Sequence, residues 1–268
     1  MTRSHTTHPY FDPHPGSPGR GVVALAHRGF SHEQQNLENS MAAFAAAVDL
    51  GYGYVETDAH GTRDGVAVAL HDSSLDRTTD SSGEVADLTW QQVSRARIGG
   101  EEPVPRLDDL LGTWPDLRVN IDVKGDSSIE PVAEAVERTA SHERVCVTSF
   151  SPGRRRRTLA RMSRPVATSA GTSEVLGFLA GARLRVPGLV QRALRDVAAL
   201  QVPPAQGGVT VVDAATVAAA HRAGRHVHVW TIDEPDEMRR LLDLNVDGIV
   251  TDRADLLRDV LRERGLWP

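Results

Sequence analysis

The 268-residue sequence predicts an α/β fold, a TIM-type (β/α)₈ barrel. Three observations predict it. From residue 21 onward, short β-rich runs alternate with alanine- and leucine-rich segments of helical length, the pattern of a parallel sheet with helices outside it. The length suits one such barrel, because the fold runs to ~250 residues as a single domain. Charged side chains also concentrate where the apolar runs end, and a barrel of this kind gathers its chemistry at the C-terminal ends of its strands.

In chain order, the strand candidates are 22–27, 53–58, 66–71, 118–123, 145–149, 165–169, 199–202, 226–231 and 248–251. The helix candidates are 40–50, 106–112, 129–140, 153–162, 173–181, 213–223, 234–244 and 253–264. That is one strand more than the barrel needs. Between the second and third runs lies only Thr62-Arg63-Asp64-Gly65, a short polar segment with a turn-forming Asp-Gly. A parallel crossover needs about a dozen residues, so 66–71 is predicted to fold back on its predecessor as an antiparallel hairpin. Eight parallel strands remain, and His71 returns beside Glu56 and Asp58.

Residues 73–105 form a polar insertion with no sustained helical period, opening on Ser73-Ser74-Leu75-Asp76-Arg77-Thr78-Thr79. Unstructured stretches of that length inside a compact domain are usually functional, so a lid or substrate-contacting insertion is expected. The region 182–208, with Pro187, Pro203, Pro204 and Gly207-Gly208, reads as a loop. Met1 to Arg20 is rich in His, Pro and Gly and lacks the apolar stretch of a signal peptide. It reads as a disordered tail, which leaves 21–268 as a single domain.

The formal charge is −6, from 30 basic and 36 acidic residues mixed along the chain. That balance argues against nonspecific nucleic-acid binding and provides no electrostatic attraction to an anionic membrane. No run approaches the ~18 apolar residues of a membrane span. A soluble cytoplasmic protein without stable membrane insertion is the expectation, and the sequence assigns it no oligomeric state. The sole cysteine, Cys146 in Arg144-Val145-Cys146-Val147-Thr148, reads as a buried structural thiol.

The chemistry sits in His27-Arg28-Gly29, Glu56-Thr57-Asp58 and His71-Asp72, followed by Asp122 and Lys124. Side chains two apart on a strand share a face, which pairs Glu56 with Asp58 and Asp122 with Lys124. Three acids in one barrel mouth repel each other unless a cation joins them. Oxygen donors favour Mg²⁺, Ca²⁺ or Mn²⁺ over zinc, and salt bridges to Arg28 or Lys124 are the alternative use of those carboxylates. With an unperturbed pKa of ~6.5, one imidazole takes a proton while the other gives one, and Arg forks onto phosphate oxygens. Asp72 either orients His71 or caps the following turn. Trp230 is read as an apolar pocket wall, with a core aromatic as the alternative, and Arg154 to Arg157 as a solvated helix face.

In order along the chain, these residues resemble the glycerophosphodiester phosphodiesterase family. The resemblance rests on the His-Arg-Gly opening, Glu-x-Asp with a Thr-x-Asp-Gly turn, His-Asp with the downstream Asp-Arg-Thr-Thr, and the acidic-x-Lys strand. Val229-Trp230-Thr231 and Val246-Asp247-Gly248-Ile249-Val250-Thr251-Asp252 extend it, so that it covers residues 22 to 264. It implies a metal-dependent barrel that hydrolyses a glycerophosphodiester to glycerol 3-phosphate and an alcohol. Position by position, His27 and His71 match the acid/base pair, and Glu56, Asp58 and Asp122 the ligands of one divalent ion, Mg²⁺ or Ca²⁺, with Mn²⁺ also compatible. Arg28 and Lys124 match the phosphate-holding residues and Trp230 an aromatic near the glycerol or leaving alcohol.

Two departures stand out. The family's Pro-Glu-Asn-Thr is here Leu37-Glu38-Asn39-Ser40, in which Ser40 can still cap a helix. The third ligand, often Glu, is Asp122, which reaches about 1.5 Å less far. The readings in competition are a lysophospholipase D-type activity on lipid-like substrates, which needs an apolar rim, a reaction that stops at a cyclic phosphate, and a non-catalytic phosphate-binding protein.

Overall fold

The computed structural model describes residues 8–12, 21–31 and 36–267. Among them the barrel strands are β1 (Val23–His27), β2 (Tyr54–Gly61), then β3 (Ala67–Ala69), β4 (Arg118–Val123), β5 (Val145–Thr148), β6 (Ala167–Thr168), β7 (Ala199–Val202), β8 (His226–Val229) and β9 (Gly248–Thr251). Eight of these are parallel and run around the ring in the order β6, β5, β4, β2, β1, β9, β8, β7. A parallel bridge from Ser169 to Ala199 closes the ring, with Ala198 N donating to Thr168 O and Ala170 N to Ala199 O, both at 2.9 Å. Apolar runs such as Val119, Ile121 and Val123 are buried because helices cover the outside of every parallel strand.

The ninth strand is the predicted hairpin. β3 pairs antiparallel to β2, Ala59 opposite Ala69 and Gly61 opposite Ala67. Thr62 Oγ1 donates to Asp64 Oδ1 at 2.7 Å, and Gly65 turns the corner at φ +81°. The helices start where short polar side chains satisfy free backbone N–H groups. Ser40 Oγ accepts from Ala43 N at the head of Met41–Asp49, and Asp213 Oδ1 from Thr216 N at the head of Ala214–Arg222. No helix among the described residues is long and apolar enough to cross a membrane.

Four expectations need correction or refinement. Residues 8–12 are not a loose tail. Pro9–Phe11 form a turn of 3₁₀ helix across the N-terminal ends of the strands, Tyr10 is 0% exposed, and its ring meets Tyr54 edge-on at 5.4 Å. Tyr54 Oη donates to Tyr10 O at 2.9 Å, Arg118 holds the Tyr10 and Asp12 carbonyls, and Phe11 stacks on His226 at 4.4 Å. An aromatic plug is what a barrel floor needs in order to exclude water, and its residues gave no periodic signal. The rest of the predicted tail, 1–7 and 13–20, lies outside the described residues.

The insertion is present but packed. Leu75, Val85, Val93 and Ala96 form a small core with Val68 and Leu70, and none of residues 73–105 lines the main cavity. Within 182–208, Pro187 opens a helix, Pro187–Ala193, rather than breaking one, and Ala205–Gln206 pairs with Val209–Thr210. The arginine run is a solvated face only in part: Arg156 and Arg157 are more than half exposed, but Arg155 is not. Arg155 is 0% exposed and forks onto Glu174 at 2.7 and 3.0 Å, while Arg154 and Arg157 reach Asp126. Cys146 is buried in the barrel interior as expected, and burial pushes its thiol up to about 12, away from nucleophilic use.

Tyr10→Ala is expected to lower unfolding stability by about 3–5 kcal/mol in urea titration. A cost within experimental error would mean that the plug is dispensable. Glu174→Ala, which strands a buried guanidinium, is expected to cost about 3–5 kcal/mol, and the double change Arg155→Met/Glu174→Leu to recover most of it.

Candidate active site

Strand register assembles the site. His27 lies opposite Glu56 across β1 and β2, and Glu56 opposite Asn120 and Asp58 opposite Asp122 across β2 and β4. With a period of two, these side chains share the inner face of the barrel mouth. His27, Arg28, Glu56, Asp58, His71, Asp122, Lys124 and Trp230 all line a single cavity of about 420 Å³.

The turn after β1 is tight. Arg28 has φ 55° and Gly29 φ 86°, and a Cβ on Gly29 would lie 2.6 Å from the Ala43 carbonyl carbon, so only glycine fits there. The turn returns the Arg28 side chain over the site, with Nε 3.0 Å from Asp58 Oδ2 and Nη1 3.1 Å from Glu38 Oε1.

Both histidines are held through Nδ1. His27 Nδ1 lies 2.7 Å from Asp252 Oδ1, just past β9, and His71 Nδ1 lies 2.6 Å from Asp72 Oδ1. An ionised carboxylate only accepts, so each Nδ1 carries the proton and each Nε2 is left for chemistry. Burial pulls the His27 pKa down, but the Asp252 hydrogen bond and the Glu56 charge outweigh it and leave the pKa raised. Arg77 forks onto Asp72, with Nε to Oδ2 at 2.6 Å, and onto Glu38, with Nη2 to Oε1 at 2.6 Å. The Arg77 hydrogen bonds hold Asp72 well below the usual carboxylate range. A chain of charge-assisted contacts thus runs His71, Asp72, Arg77, Glu38, Arg28, Asp58. Of the two earlier readings of Asp72, orientation of His71 is the one seen.

The acids are gathered around an ammonium. Lys124 Nζ sits 2.8 Å from both Asp58 Oδ1 and Asp122 Oδ2. Asn39 Nδ2 donates to Asp58 Oδ2 at 3.1 Å, and Asn39 Oδ1 accepts from Thr57 Oγ1 at 2.7 Å. Burial would raise Asp58, but Lys124 and Arg28 hold it lowered. Glu56 is pushed up to about 8 by burial and by Asp58, and burial also raises Asp122 despite Lys124.

Among the described residues no three His, Cys, Asp or Glu are already drawn into a metal cage, so the expected ligand set is brought into one mouth without closing on one point. Its donor chemistry nevertheless fits a hard divalent cation. Glu56 Oε2 and Asp122 Oδ1 are buried carboxylate oxygens with no hydrogen-bond partner, and oxygen donors of this kind take Mg²⁺ or Ca²⁺.

Several residues lay outside the predicted set. Asp252 ends an apolar strand, a signal of the same kind that marked His27. Glu38 and Arg77 come from loops, where no periodicity points at them. The far wall is apolar: Trp230 and Phe150 meet edge to face at 5.8 Å, and Val175, Leu176 and Leu179 continue the surface.

Residues 27–256 match the model of the glycerophosphoryl diester phosphodiesterase family. The chain is 49% identical over 247 residues to “Probable glycerophosphodiester phosphodiesterase 2” of Mycobacterium tuberculosis, covering 92% of this chain and 93% of that protein. It is 30% identical over 262 residues to a glycerophosphodiester phosphodiesterase of Caldanaerobacter subterraneus subsp. tengcongensis, covering 91% and 99%. The crystal structure of a glycerophosphodiester phosphodiesterase from Agrobacterium tumefaciens superposes with a TM-score of 0.70 at 25% identity, covering 89% of this chain and 98% of that one.

Asp252→Asn is expected to lower the His27 pKa, because the charge that holds it up is removed, and NMR titration of the imidazole in metal-free protein reads this directly. Turnover should fall roughly 10–100-fold, as for other losses of an orienting carboxylate. An unchanged titration would mean that Glu56 alone sets the proton affinity of His27.

Proposed function

The chain belongs to the glycerophosphoryl diester phosphodiesterase family of phosphoric diester hydrolases, and from that membership we propose that it hydrolyses glycerophosphodiesters to glycerol 3-phosphate and an alcohol. One observation carries the proposal for this chain's own residues. Two imidazoles, each tied to a carboxylate through Nδ1, present Nε2 to one cavity that also holds a guanidinium, an ammonium and three acids.

Arg28 and Lys124 bind the phosphodiester anion from one side of the cavity. Glu56, Asp58 and Asp122 are the residues that would hold one divalent cation, Mg²⁺, Ca²⁺ or Mn²⁺. When bound, such an ion supplies positive charge against the extra negative charge of the five-coordinate phosphorus. His27 Nε2 takes the proton from the attacking oxygen; when that is water the diester is cleaved directly, and when it is the neighbouring glycerol hydroxyl a cyclic phosphate forms first and water opens it to glycerol 3-phosphate in a second step. His71, entering the step as the imidazolium with Nε2 protonated as well as Nδ1, gives the Nε2 proton to the departing alkoxide, so that the alcohol leaves neutral. The two rings differ in the carboxylates behind them, Asp72 being bound by Arg77 while Asp252 is half-exposed. Trp230 walls the substrate's organic portion.

The test is glycerol 3-phosphate release from a panel of glycerophosphodiesters by chelated protein, with Mg²⁺, Ca²⁺ or Mn²⁺ restored separately. Metal-dependent release is expected, and its absence with every ion from folded protein would overturn the reading. His27→Ala and His71→Ala should each cut turnover by roughly 10²–10⁴ with the fold intact. Near-normal rates in both would remove the acid/base roles.

A further inference from the structure

Acidic and basic residues are mixed along most of the chain, but two stretches depart from that. Residues 175–195 hold four arginines and no acid, and residues 214–225 two arginines and no acid. The fold packs them together. Helices Thr172–Arg183 and Pro187–Ala193 approach so closely that a Cβ on Gly181 would lie 2.8 Å from Val190 N. Arg185, Val186, Pro187 and Val190 then share a cleft of about 380 Å³ with Ala219 and Arg222 of helix Ala214–Arg222. This cleft has no lining residue in common with the catalytic cavity. The overall charge balance, which argues against attraction to an anionic membrane, does not describe this face.

Two features of the face are unfavourable unless something covers it. The helix pair has already buried Phe178, Val190 and Leu194, yet Leu184 is 69%, Val186 41% and Leu189 43% exposed. Half of the exposed large apolar side chains among the described residues thus fall within one short corner, and clustered apolar exposure marks a contact surface. The arginines are the second feature. Arg154, Arg155, Arg156 and Arg157 all rest on Asp126 or Glu174, Arg183 on the Thr210 carbonyl and Arg195 on Asp196. Arg185, Arg192 and Arg222 make no ion pair or side-chain hydrogen bond among the described residues. Arg185 also stands at φ 55°, where glycine is the unstrained residue, so the backbone bears a cost to keep a guanidinium at the corner.

The combination selects the partner. A second copy, in a two-fold contact, would set these arginines against their own images. Nucleic acid offers phosphates but no bed for three aliphatic side chains. A bilayer with anionic head groups offers both, charge for the guanidiniums and hydrocarbon just beneath for Leu184, Val186 and Leu189. The net charge of −6 does not prevent contact, because charges farther from it than a Debye length of ~8 Å are screened. We propose that the corner 184–189, with Arg192 and Arg222 beside it, docks the protein peripherally on an anionic lipid surface. That surface is where the protein sits, not what it cleaves: Leu184, Val186 and Leu189 lie outside the catalytic cavity, and docking is independent of the phosphodiesterase reading.

Co-sedimentation of the full chain with vesicles of phosphatidylcholine alone, and of equimolar phosphatidylcholine and phosphatidylglycerol, tests the face without requiring turnover. Each arginine near an anionic surface contributes roughly fivefold to partition, so binding to the charged vesicles should be at least about tenfold tighter and should fade at high salt. Leu184→Asp, at an exposed position that does not threaten folding, should weaken binding about tenfold, and Leu184→Met should retain it. Arg185→Gly should weaken it roughly fivefold without lowering stability in urea, because glycine relieves the left-handed backbone. Turnover of glycerophosphocholine in vesicle-free solution should be the same in all three variants. Equal partition onto both vesicle types, no partition onto either, or unchanged binding in both Leu184→Asp and Arg185→Gly would overturn the proposal. So would a dimer in sedimentation velocity that Leu184→Asp dissociates, which would assign the face to a second copy. Affinity for poly-glutamate with none for vesicles would assign it to an acidic protein and overturn the proposal as well.

Discussion

Asp58 is buried at the mouth of the barrel between Arg28 Nε at 3.0 Å, Lys124 Nζ at 2.8 Å and the Asn39 amide at 3.1 Å. A carboxylate removed from water is tolerated only when charge and hydrogen bonds replace its hydration, and here three partners from three different segments do so. Each partner is fixed in turn by something else. Lys124 is shared with Asp122, Arg28 with Glu38, and Asn39 with Thr57 on the same strand as Asp58. The contacts that make one carboxylate bearable in the interior therefore also set the positions of the Arg28 guanidinium and the Lys124 ammonium. Structure and chemistry draw on the same charges.

The hairpin of β2 and β3 adds the second half. Because β3 runs back along β2, His71 arrives from the opposite direction to His27, and the two rings line a common cavity without sharing a strand edge. Each ring is backed by its own acid, but the acids differ in surroundings. Asp72 is clamped by Arg77, which also grips Glu38 and through it Arg28. Asp252 instead emerges half-exposed beyond the last strand. Two chemically identical side chains thus meet unequal electrostatic backing.

Much of this was legible because strands obey a period of two and charges at strand ends are costly to explain otherwise. All nine strand candidates and the antiparallel turn at Thr62 to Gly65 are present, and the eight singled-out residues share one cavity. Features without periodicity escaped. Tyr10 and Phe11 sit in a segment whose composition resembles a tail, and only the need to close the barrel floor gives them a role. Arg155 looked like its exposed neighbours because burial of one arginine in four depends on Glu174, 19 residues away. The carboxylate trio looked like a cage from spacing alone, while the ammonium between two of its members depends on the path of one flexible side chain.

His27 belongs to the first strand of the barrel, and the acid that orients it lies 225 residues away, past the last. The two meet only because β1 and β9 are neighbours in the closed ring, with Ala26 opposite Thr251. The seam where the sheet joins its own beginning is therefore also where one imidazole acquires its tautomer. An intermediate with every other strand in place but this seam open would hold each of the eight expected residues and still lack an oriented His27, since contacts so distant in sequence carry the largest entropic cost to form. The proton chemistry at that ring thus reports on closure of the whole barrel.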